Sequence, residues 1–263
     1  MKNFDYTNKL VIVTGASSGI GYSTALFFAN KCKYIALIGR SEQKLGELKL
    51  TISKKNPNVN YFVSDLSDLS SIPLLIQSIE KMFSKSIDVV INCAGYATLG
   101  KVENVPINEY INNFNVNFFS SVCITKELIT NFKEKNSGQF IYINSGVGKR
   151  GLPGVSSYCS SKFALNGFCE SLRVELLKYN IDVIVISPGL VSTNFHKNFK
   201  IFGKLKELFI NGKYLSSDYV AKKIYLNAKK RKRYISLSFK SSLGVFLSNN
   251  FPKIMDIILS RKI

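Results

Sequence analysis

Residues 9–21 read Lys-Leu-Val-Ile-Val-Thr-Gly-Ala-Ser-Ser-Gly-Ile-Gly, an apolar, β-branched run that passes directly into a glycine cluster. The apolar run is typical of a strand buried in a parallel sheet. A glycine turn between such a strand and a helix brings backbone amides close to a pyrophosphate at the helix N-terminus. Gly15 would allow the tight turn, Gly19 the close approach and Gly21 the helix–strand packing. The alternative, a glycine-rich turn without a ligand, fits the strand–turn–helix order less well.

The same alternation of apolar runs and helical patterns continues along the chain. Further strands are predicted at residues 34–39, 59–64, 87–92, 139–144, 181–187 and 234–238. Helices are predicted at residues 22–31, 41–54, 70–83, 108–133, 200–211 and 217–231, and in a segment that ends near residue 178. This order indicates βαβ units. We therefore predict an α/β fold, with residues 1–263 as one Rossmann-like domain whose doubly wound parallel sheet has helices on both faces.

Composition sets the broad class of the protein. The chain has 263 residues, 46% hydrophobic and 20% charged, which suits a globular protein with a full core. Residues 1–9 are polar, unlike a signal peptide, and no apolar run approaches the ~20 residues that a membrane-spanning helix needs. The five cysteines are scattered, as expected of buried thiols in a reducing compartment. We expect a cytoplasmic protein without a metal site.

The formal net charge of +19 is uneven along the chain. Residues 1–195 carry 20 basic and 14 acidic groups, whereas residues 196–263 carry 16 basic and 3 acidic groups. The excess is therefore a feature of the C-terminal quarter. Nucleic acid is a poor fit as partner, because no recognised binding fold or base-stacking motif accompanies the charge.

A second cluster, Tyr158-Cys159-Ser160-Ser161-Lys162, carries groups suited to proton transfer. Four residues apart on a helix, Tyr158 and Lys162 lie on the same face. A nearby ammonium favours the phenolate, so we expect the pKa of Tyr158 to fall below its ordinary value of about 10. Ser145, at the end of another apolar run, would bring a second hydroxyl to the same point, where the pair can polarise a carbonyl. Alone, the Tyr-x-x-x-Lys spacing is a weak signal that many exposed helix faces share.

The residue after the predicted second strand bears on the choice of cofactor. A site for NAD usually offers a carboxylate there to the ribose 2′-hydroxyl. Here Arg40 offers a guanidinium, which can bind a 2′-phosphate by charge-assisted hydrogen bonds. We therefore predict NADP(H), with an ordinary exposed loop arginine as the alternative.

These motifs stand in one order along the chain: Thr14 to Gly21, Asn92-Cys-Ala-Gly95, Asn117, Ser145, Tyr158-x-x-x-Lys162, Pro188-Gly189 and Thr193. Over roughly residues 8–195 the set resembles the classical short-chain dehydrogenase/reductase family of the NADP-preferring type. The resemblance implies an oxidoreductase that acts on CH–OH groups with NADP(H). Two positions depart from the common pattern, since Cys93 replaces a second Asn and Asn144 precedes Ser145 in place of Ser.

By position, the resemblance implies a catalytic set of Asn117, Ser145, Tyr158 and Lys162, in which Asn117 connects Lys162 through water to solvent. Tyr158 would protonate the developing alkoxide, and Lys162 would position the nicotinamide ribose. The residues implied at the cofactor are Gly15, Ser17, Ser18, Gly19, Ile20, Gly21, Arg40, Ser41, Asp65, Leu66, Asn92, Ala94, Gly95, Tyr158, Lys162, Pro188, Gly189, Val191 and Thr193.

Within that set the resemblance assigns finer roles. Ser17 and Arg40 would bind the 2′-phosphate, Asp65 and Leu66 would lie at the adenine, and residues 188–193 would contact the nicotinamide end.

Residues 196–215 fall where this family places its substrate lid, and they mix aromatic and aliphatic residues with lysines. An apolar lid implies an apolar or lipid-like substrate. His196, the only histidine in the chain, lies in this segment. We expect it to be a surface residue of the lid, because one histidine cannot build a histidine metal cluster.

The last segment, residues 229–263, joins a basic run at 229–233 to a strongly apolar tail. Such a pairing can attach a protein to an anionic bilayer. The alternative is a solvated helix end, with the tail packed on the domain or on a partner subunit. The tail is also similar to that of reductases acting on lipid-like ketones, such as the ketosphinganine reductases and hydroxysteroid-dehydrogenase-like members.

Three functional hypotheses remain open. The first is an NADPH-dependent ketoreductase of an apolar substrate, and the second is a 3-oxoacyl-carrier-protein reductase, which the long basic tail disfavours. The third is an NADPH-binding sensor or scaffold without turnover, which has no need of all four catalytic positions. The family resemblance further implies a homodimer or homotetramer.

Overall fold

The computed structural model describes residues 2–193, 195, 199–203 and 214–261. The main strands are β1 (Leu10–Thr14), β2 (Tyr34–Gly39), β3 (Val59–Val63), β4 (Val89–Asn92), β6 (Gly138–Ile143), β7 (Ile181–Ser187) and β11 (Tyr234–Ser236). Short strands are β5 (Thr98–Leu99), β8 (Val191–Ser192), β9 (Lys200–Ile201) and β10 (Leu215–Ser216).

Helices connect the strands. They are α1 (Gly19–Ala29), α2 (Glu42–Ser53), α3 (Ile72–Phe83), α4 (Ile107–Phe114), α5 (Ser120–Glu134), α6 (Ser156–Glu175), α7 (Ser217–Lys229), α8 (Phe239–Asn250) and α9 (Pro252–Ser260). A π-helical turn (Asn115–Phe119) joins α4 to α5.

Seven strands form one sheet in the order β3-β2-β1-β4-β6-β7-β11, and every pair is parallel. At its centre Val13 of β1 is paired with Leu37 of β2 on one side and with Ile91 of β4 on the other. The chain moves outward through β2 and β3, then returns to the far side of β1 as β4. Ligands of open α/β sheets bind at such a reversal, beyond the carboxyl ends of the strands.

Alternate residues of each strand enter two separate cores, because successive side chains of a strand point to opposite faces. Val11 and Val13 of β1 lie in one core, which α1, α2 and α7 cover. Leu10 and Ile12 lie in the other, which α3, α5 and α6 cover. The predicted fold class, a doubly wound parallel sheet with helices on both faces, is confirmed.

Most element bounds differ from the predicted ones by one to three residues, and the differences below are the most informative. The helix predicted over residues 108–133 is two helices with the π-turn between them, since backbone bonding shifts register at 115–119. The helix predicted from residue 200 is wrong at its start, because Lys200 and Ile201 form β9 by pairing with β5. Residues 204–211 of that prediction lie outside the described residues. Finally, α6 ends at Glu175 and not near 178.

The chain closes with α8 and α9, which pack on each other. No helix within the described residues is long and apolar enough to cross a membrane.

Candidate active site

The glycine turn after β1 has the backbone that its sequence predicts. Gly15 and Gly19 adopt left-handed φ angles of +65° and +55°, which favour glycine. A Cβ on Gly21 would lie 2.2 Å from the Gly15 carbonyl oxygen, so only glycine fits where the helix crosses the turn. The turn is therefore shaped by close backbone approaches.

The N-terminus of α1 is open to an anion. Ser18 is the N-cap residue, but its side chain makes no capping hydrogen bond, and the first turn holds no acidic residue. The amides of Gly19, Ile20 and Gly21 have no partner within the helix. Free amides and the positive end of the helix dipole together suit a pyrophosphate.

Hydrogen bonds between a side chain at the end of β1 and backbone amides after β4 join the ends of these two strands. Thr14 Oγ1 accepts hydrogen bonds of 3.0 Å from the amides of both Cys93 and Ala94. The space is tight, since a Cβ on Gly15 would lie 2.9 Å from Ala94 Cα. Nearby, the Nδ2 of Asn92 is buried and has no partner among the described residues. A polar ligand bound in this crevice would supply the hydrogen-bond acceptor that this buried donor lacks.

The predicted 2′-phosphate residues lie at the end of β2. Arg40 follows Gly39 and is exposed, and it forms no ion pair with any described residue. Ser17 lies beside it, with Oγ 3.3 Å from the position of a Cβ on Gly39. Ser41 is the N-cap of α2, and its Oγ accepts from the Lys44 amide.

Asp65 and Leu66 follow β3, one strand further out. Hydrogen bonds from the Ser67 amide and hydroxyl, together with nearby Arg40, lower the pKa of the Asp65 carboxyl against some desolvation. Leu66 is buried in the core on the α3 side of the sheet. Arg40 therefore has a carboxylate near it, contributed by the third strand and not by the second.

Ser145 and Tyr158 come together beyond the end of β6. Ser145 begins a 3₁₀ turn, Gly146–Gly148, and its Oγ accepts from the Val147 amide at 3.4 Å. Its own amide donates to Asn144 Oδ1 at 2.9 Å, which orients the turn. The Ser145 hydroxyl lies near the Tyr158 phenol and opposes part of the rise in its pKa.

The pKa of Tyr158 is shifted in the direction opposite to the expectation. Burial raises it above its ordinary value, and the Ser145 hydroxyl opposes this only in part. The ammonium of Lys162 lies 5.8 Å from the centre of the tyrosine ring, and among the described residues its hydrogen bond goes to the carbonyl oxygen of Ile143 and not to the phenol. Desolvation therefore decides the direction of the shift, and the predicted lowering is wrong for this structure.

A hydrogen bond to a backbone carbonyl oxygen holds the side chain of Lys162 in place. Its side chain is 4% exposed, and Nζ donates a 2.9 Å hydrogen bond to the carbonyl oxygen of Ile143. Nζ also lies 3.8 Å from the position of a Cβ on Gly95, so it sits between the ends of β4 and β6. Burial lowers the pKa of Lys162 to about 8. This lysine can therefore gain or lose a proton near neutral pH.

Asn117 lies in the π-turn, a feature often found at functional sites. Its Oδ1 accepts from the Tyr96 amide, and its Nδ2 donates to the Tyr96 carbonyl, Asn113 Oδ1 and Ser161 Oγ, all within 3.2 Å. The Ser161 hydroxyl in turn donates to the Tyr158 carbonyl at 2.8 Å. Asn117 thus ties the β4 loop to the helix that carries Tyr158 and Lys162.

A polar chain that the sequence did not predict extends from Asn117 to the strand pair β5–β9. Asn113 donates to Thr98 Oγ1, which donates to the buried carboxylate of Glu109. Lys200 of β9 forms a 2.7 Å ion pair with Glu109. The described lid residues 199–203 are therefore anchored through Lys200 to the same network as Asn117. No local motif signals this, because the partners are 91 residues apart.

The loop after β7 closes the crevice. Gly189 has φ +81°, and a Cβ there would lie 2.7 Å from Ser238 Cβ. Val191 belongs to β8, and Thr193 lies 3.2 Å from the position of a Cβ on Gly19. The loop that begins at Pro188 thus reaches across to the glycine turn.

The remaining predictions have mixed outcomes. Residues 196–198, which include His196, and residues 204–213 of the expected lid lie outside the described residues. The basic run at 229–233 is not a uniform solvated patch, because Arg231 forms a 2.8 Å ion pair with the largely buried Asp182. Among the described residues, no group of three or more His, Cys, Asp or Glu could hold a metal ion.

Fold and site together define a class, a doubly wound α/β protein with a glycine turn at the strand reversal and a Ser–Tyr–Lys cluster beyond β6. The sequence model of the family described as short chain dehydrogenase matches residues 9–201. The chain belongs to this family.

Similar proteins agree with that membership. The chain is 33% identical to 3-ketodihydrosphingosine reductase of Mus musculus over 194 residues, which cover 70% of this chain and 58% of the mouse protein. It is 37% identical to NADP-dependent 3-hydroxy acid dehydrogenase of Schizosaccharomyces pombe over 191 residues, covering 71% and 73%. The chain therefore spans less than two thirds of the mouse relative's length.

A solved structure shows the same fold. A short chain dehydrogenase/reductase from Burkholderia phymatum, crystallised in complex with NAD, superposes with a TM-score of 0.86 at 18% identity. The match covers 95% of this chain and 96% of that one.

Proposed function

We propose that the protein is an NADPH-dependent oxidoreductase that interconverts a ketone and a secondary alcohol on an apolar or lipid-like substrate. The observation that carries the proposal is that the side chains of Ser145 and Tyr158 lie near each other beyond β6, with the buried Lys162 ammonium 5.8 Å from the centre of the tyrosine ring. Two hydroxyls at one point can bind a carbonyl oxygen and stabilise the charge that develops on it.

The residues of the crevice fit a nicotinamide cofactor. The bound cofactor would supply the hydride. The glycine turn and the open N-terminus of α1 would hold the pyrophosphate, and the Asn92 amide would gain a partner. Arg40 and Ser17 at the end of β2 would hold the 2′-phosphate, which favours NADPH over NADH.

Tyr158 would hold the proton that the substrate oxygen receives. Because burial raises its pKa, the phenol is protonated at neutral pH and is ready to donate to a developing alkoxide. Ser145 would donate a second hydrogen bond to the same oxygen. The protonated phenol is therefore the form that ketone reduction needs, and the same residue would accept the alcohol proton in the reverse reaction.

Lys162 would return a proton to the tyrosine. A lysine with a pKa of about 8 gains and loses its proton easily near neutral pH, which suits transfer to the neighbouring phenolate. Asn117 would fix the helix on which both groups lie, through Ser161 and the Tyr158 carbonyl.

Two observations support an apolar substrate. Phe195 lies 6.0 Å from Tyr158, ring centre to ring centre, and Phe199 lies 5.3 Å from Phe195. These rings form an apolar wall beside the candidate proton donor. The mouse relative is named 3-ketodihydrosphingosine reductase, and a lipid-like ketone of that kind is consistent with such a wall.

Turnover of a ketone panel tests the proposal. NADPH oxidation would be followed with long-chain 3-keto bases, steroid ketones, 3-oxoacyl thioesters and short 3-oxo acids, with NADH in parallel. We expect turnover that needs NADPH and rises with the length of the apolar chain. Turnover confined to short polar acids would contradict the substrate class, and tight NADPH binding without any turnover would contradict the enzyme.

We also propose that the protein forms homo-oligomers. Phe163 on the Tyr158 helix and Phe119 in the π-turn are exposed large apolar residues that a second subunit would cover. Sedimentation velocity would detect the oligomer, and a monomer at all concentrations would contradict it.

A further inference from the structure

We propose that α8 and α9 form a docking surface for an anionic lipid bilayer and hold the mouth of the candidate site against it. This hairpin surface consists of residues 239–261. The inference concerns binding of the protein to a membrane, and it deepens the proposed function by naming where a lipid-like substrate would enter.

Both helices carry large apolar side chains that the described structure leaves uncovered. In α8 these are Phe239, Leu243 and Phe246, at the i, i+4, i+7 spacing of one helix face. In α9 and the junction before it they are Phe251, Ile254, Ile257 and Ile258. Seven exposed large apolar residues within 20 positions make a patch of the kind that marks an interaction site.

Few residues of the hairpin surface are buried against the rest of the protein. Ser248 is the one buried residue of α8, and α9 has none, although both helices are described throughout. At 12 and 9 residues they are about 18 Å and 14 Å long, too short for a hydrocarbon core of about 30 Å. Helices of this kind lie in the interface with their apolar faces in the acyl boundary.

The charge around the apolar patch selects an anionic partner. Lys240, Lys253 and Arg261 are exposed on the hairpin, and the loop at its base adds Lys149 and Arg150. Against these five cations the hairpin offers one carboxylate, Asp256, which is already paired with Arg150 at 2.5 Å. Lysines near a surface of acidic lipids strengthen binding in proportion to their number.

The same charge disfavours a second copy of the chain as occupant. Self-association through this face would bring two sets of like charges together, and opposed like charges are costly in the low dielectric of an interface. An anionic surface covers the apolar side chains and neutralises the cations at the same time. We therefore commit to the bilayer.

The hairpin begins at the rim of the candidate site. A Cβ on Gly146, next to Ser145, would lie 1.9 Å from Ser241 Oγ in the first turn of α8. Ser238, the N-cap of α8, touches Gly189 in the loop that closes the crevice. A membrane bound to α8 and α9 would therefore lie beside the entrance, and an apolar substrate would pass into the site without crossing water.

Vesicle flotation of the whole protein tests the proposal. One set of vesicles is phosphatidylcholine alone, and the other has a quarter of its lipid replaced by phosphatidylserine. We expect binding to the second set that weakens with added salt, because exposed charges are screened. Phe246→Ser, Ile254→Ser and Ile257→Ser combined should weaken binding at least a hundredfold, roughly what three apolar side chains contribute.

A matched control variant distinguishes binding through the hairpin surface from non-specific binding by exposed apolar side chains. Leu50, Leu74 and Met82 lie on α2 and α3 and are 57% to 68% exposed, against 57% to 60% for the three test residues. Changing these three to Ser should leave vesicle binding unaltered. Lys240→Ala with Lys253→Ala should weaken binding to the anionic vesicles roughly 20-fold, without effect on neutral ones.

Three results would overturn the proposal. The first is that the native protein does not float with the anionic vesicles. The second is that the control variant loses as much vesicle binding as the test variant. The third is that light scattering finds an oligomer of the native protein, the test variant is dissociated, and neither protein binds vesicles. The last would assign the face to a second copy. Melting temperature and NADPH affinity without vesicles show that the variants are folded, and since binding is read without turnover, its outcome is independent of the ketone assay.

Discussion

The ammonium nitrogen of Lys162 donates a 2.9 Å hydrogen bond to the carbonyl oxygen of Ile143, from a side chain that is almost wholly buried. No carboxylate pairs with this lysine among the described residues. Backbone alone therefore holds the charge, and burial lowers the pKa from 10.5 to about 8. The site keeps a lysine that is ready to release its proton.

This burial predicts a pH dependence of stability. Between about 8 and 10.5 the native lysine has lost its proton while the unfolded chain still holds it. The unfolded state then binds more protons, so the free energy of unfolding rises with pH across this window, by roughly 3 kcal/mol for the full shift. Chemical denaturation at several pH values should show the rise in the native protein, relative to Lys162→Met. Parallel curves for the two proteins would contradict the lowered pKa.

Arg40→Asp tests the choice between the two cofactors. Loss of the guanidinium should raise the KM for NADPH about 10- to 100-fold, because a charge-assisted contact to phosphate is lost and a repulsion is gained. The KM for NADH should change far less. Lys44→Asp, an equal change of charge on the adjoining helix, serves as control. An unaltered preference for NADPH in Arg40→Asp would remove Arg40 from the site.

Gly21→Ala tests the geometry of the glycine turn. Its Cβ would lie 2.2 Å from the Gly15 carbonyl oxygen, so the turn must move. We expect a loss of about 1–3 kcal/mol in unfolding free energy and weaker NADPH binding. Gly46→Ala in α2, where a Cβ meets nothing within 4 Å, should instead stabilise the protein by about 0.5–1 kcal/mol. Unchanged NADPH affinity in Gly21→Ala would argue against a cofactor at the turn.

The ion pair between Glu109 and Lys200 is predicted to position the substrate side of the site. Lys200→Met should raise the substrate KM several-fold and leave NADPH affinity unchanged, because β9 loses an anchor of about 0.5–1 kcal/mol at this half-exposed position. A double-mutant cycle with Glu109→Gln should give a coupling of similar size. Additive effects of the two changes would show that the pair does not act as a unit.

The sheet was predictable from local pattern. Strands β2 and β7 begin and end where predicted, because each is a mostly apolar, β-branched run bounded by turn residues. The glycine turn followed from its place between a strand and a helix. These features depend on short stretches of chain, which sequence periodicity describes well.

The parts that could not be predicted depend on long-range packing. The pKa of Tyr158 rises because the folded chain buries it, and its neighbour in sequence, Lys162, is directed to Ile143. β9 is a strand only because Lys200 and Ile201 meet β5, about 100 positions earlier. The π-turn at Asn117 has no sequence period of its own, so it could be found only in the structure.

The most direct measurement is NADPH oxidation by Tyr158→Phe beside the native protein, with the best long-chain ketone. The chain has no tryptophan, so NADPH binding can be read from the fluorescence of the cofactor itself. We predict a loss of about 10²–10⁴-fold in kcat while NADPH still binds, because the proton donor is removed and the rest of the cofactor site is kept. A variant that retains native turnover would contradict the assignment of Tyr158 and, with it, the proposed reaction.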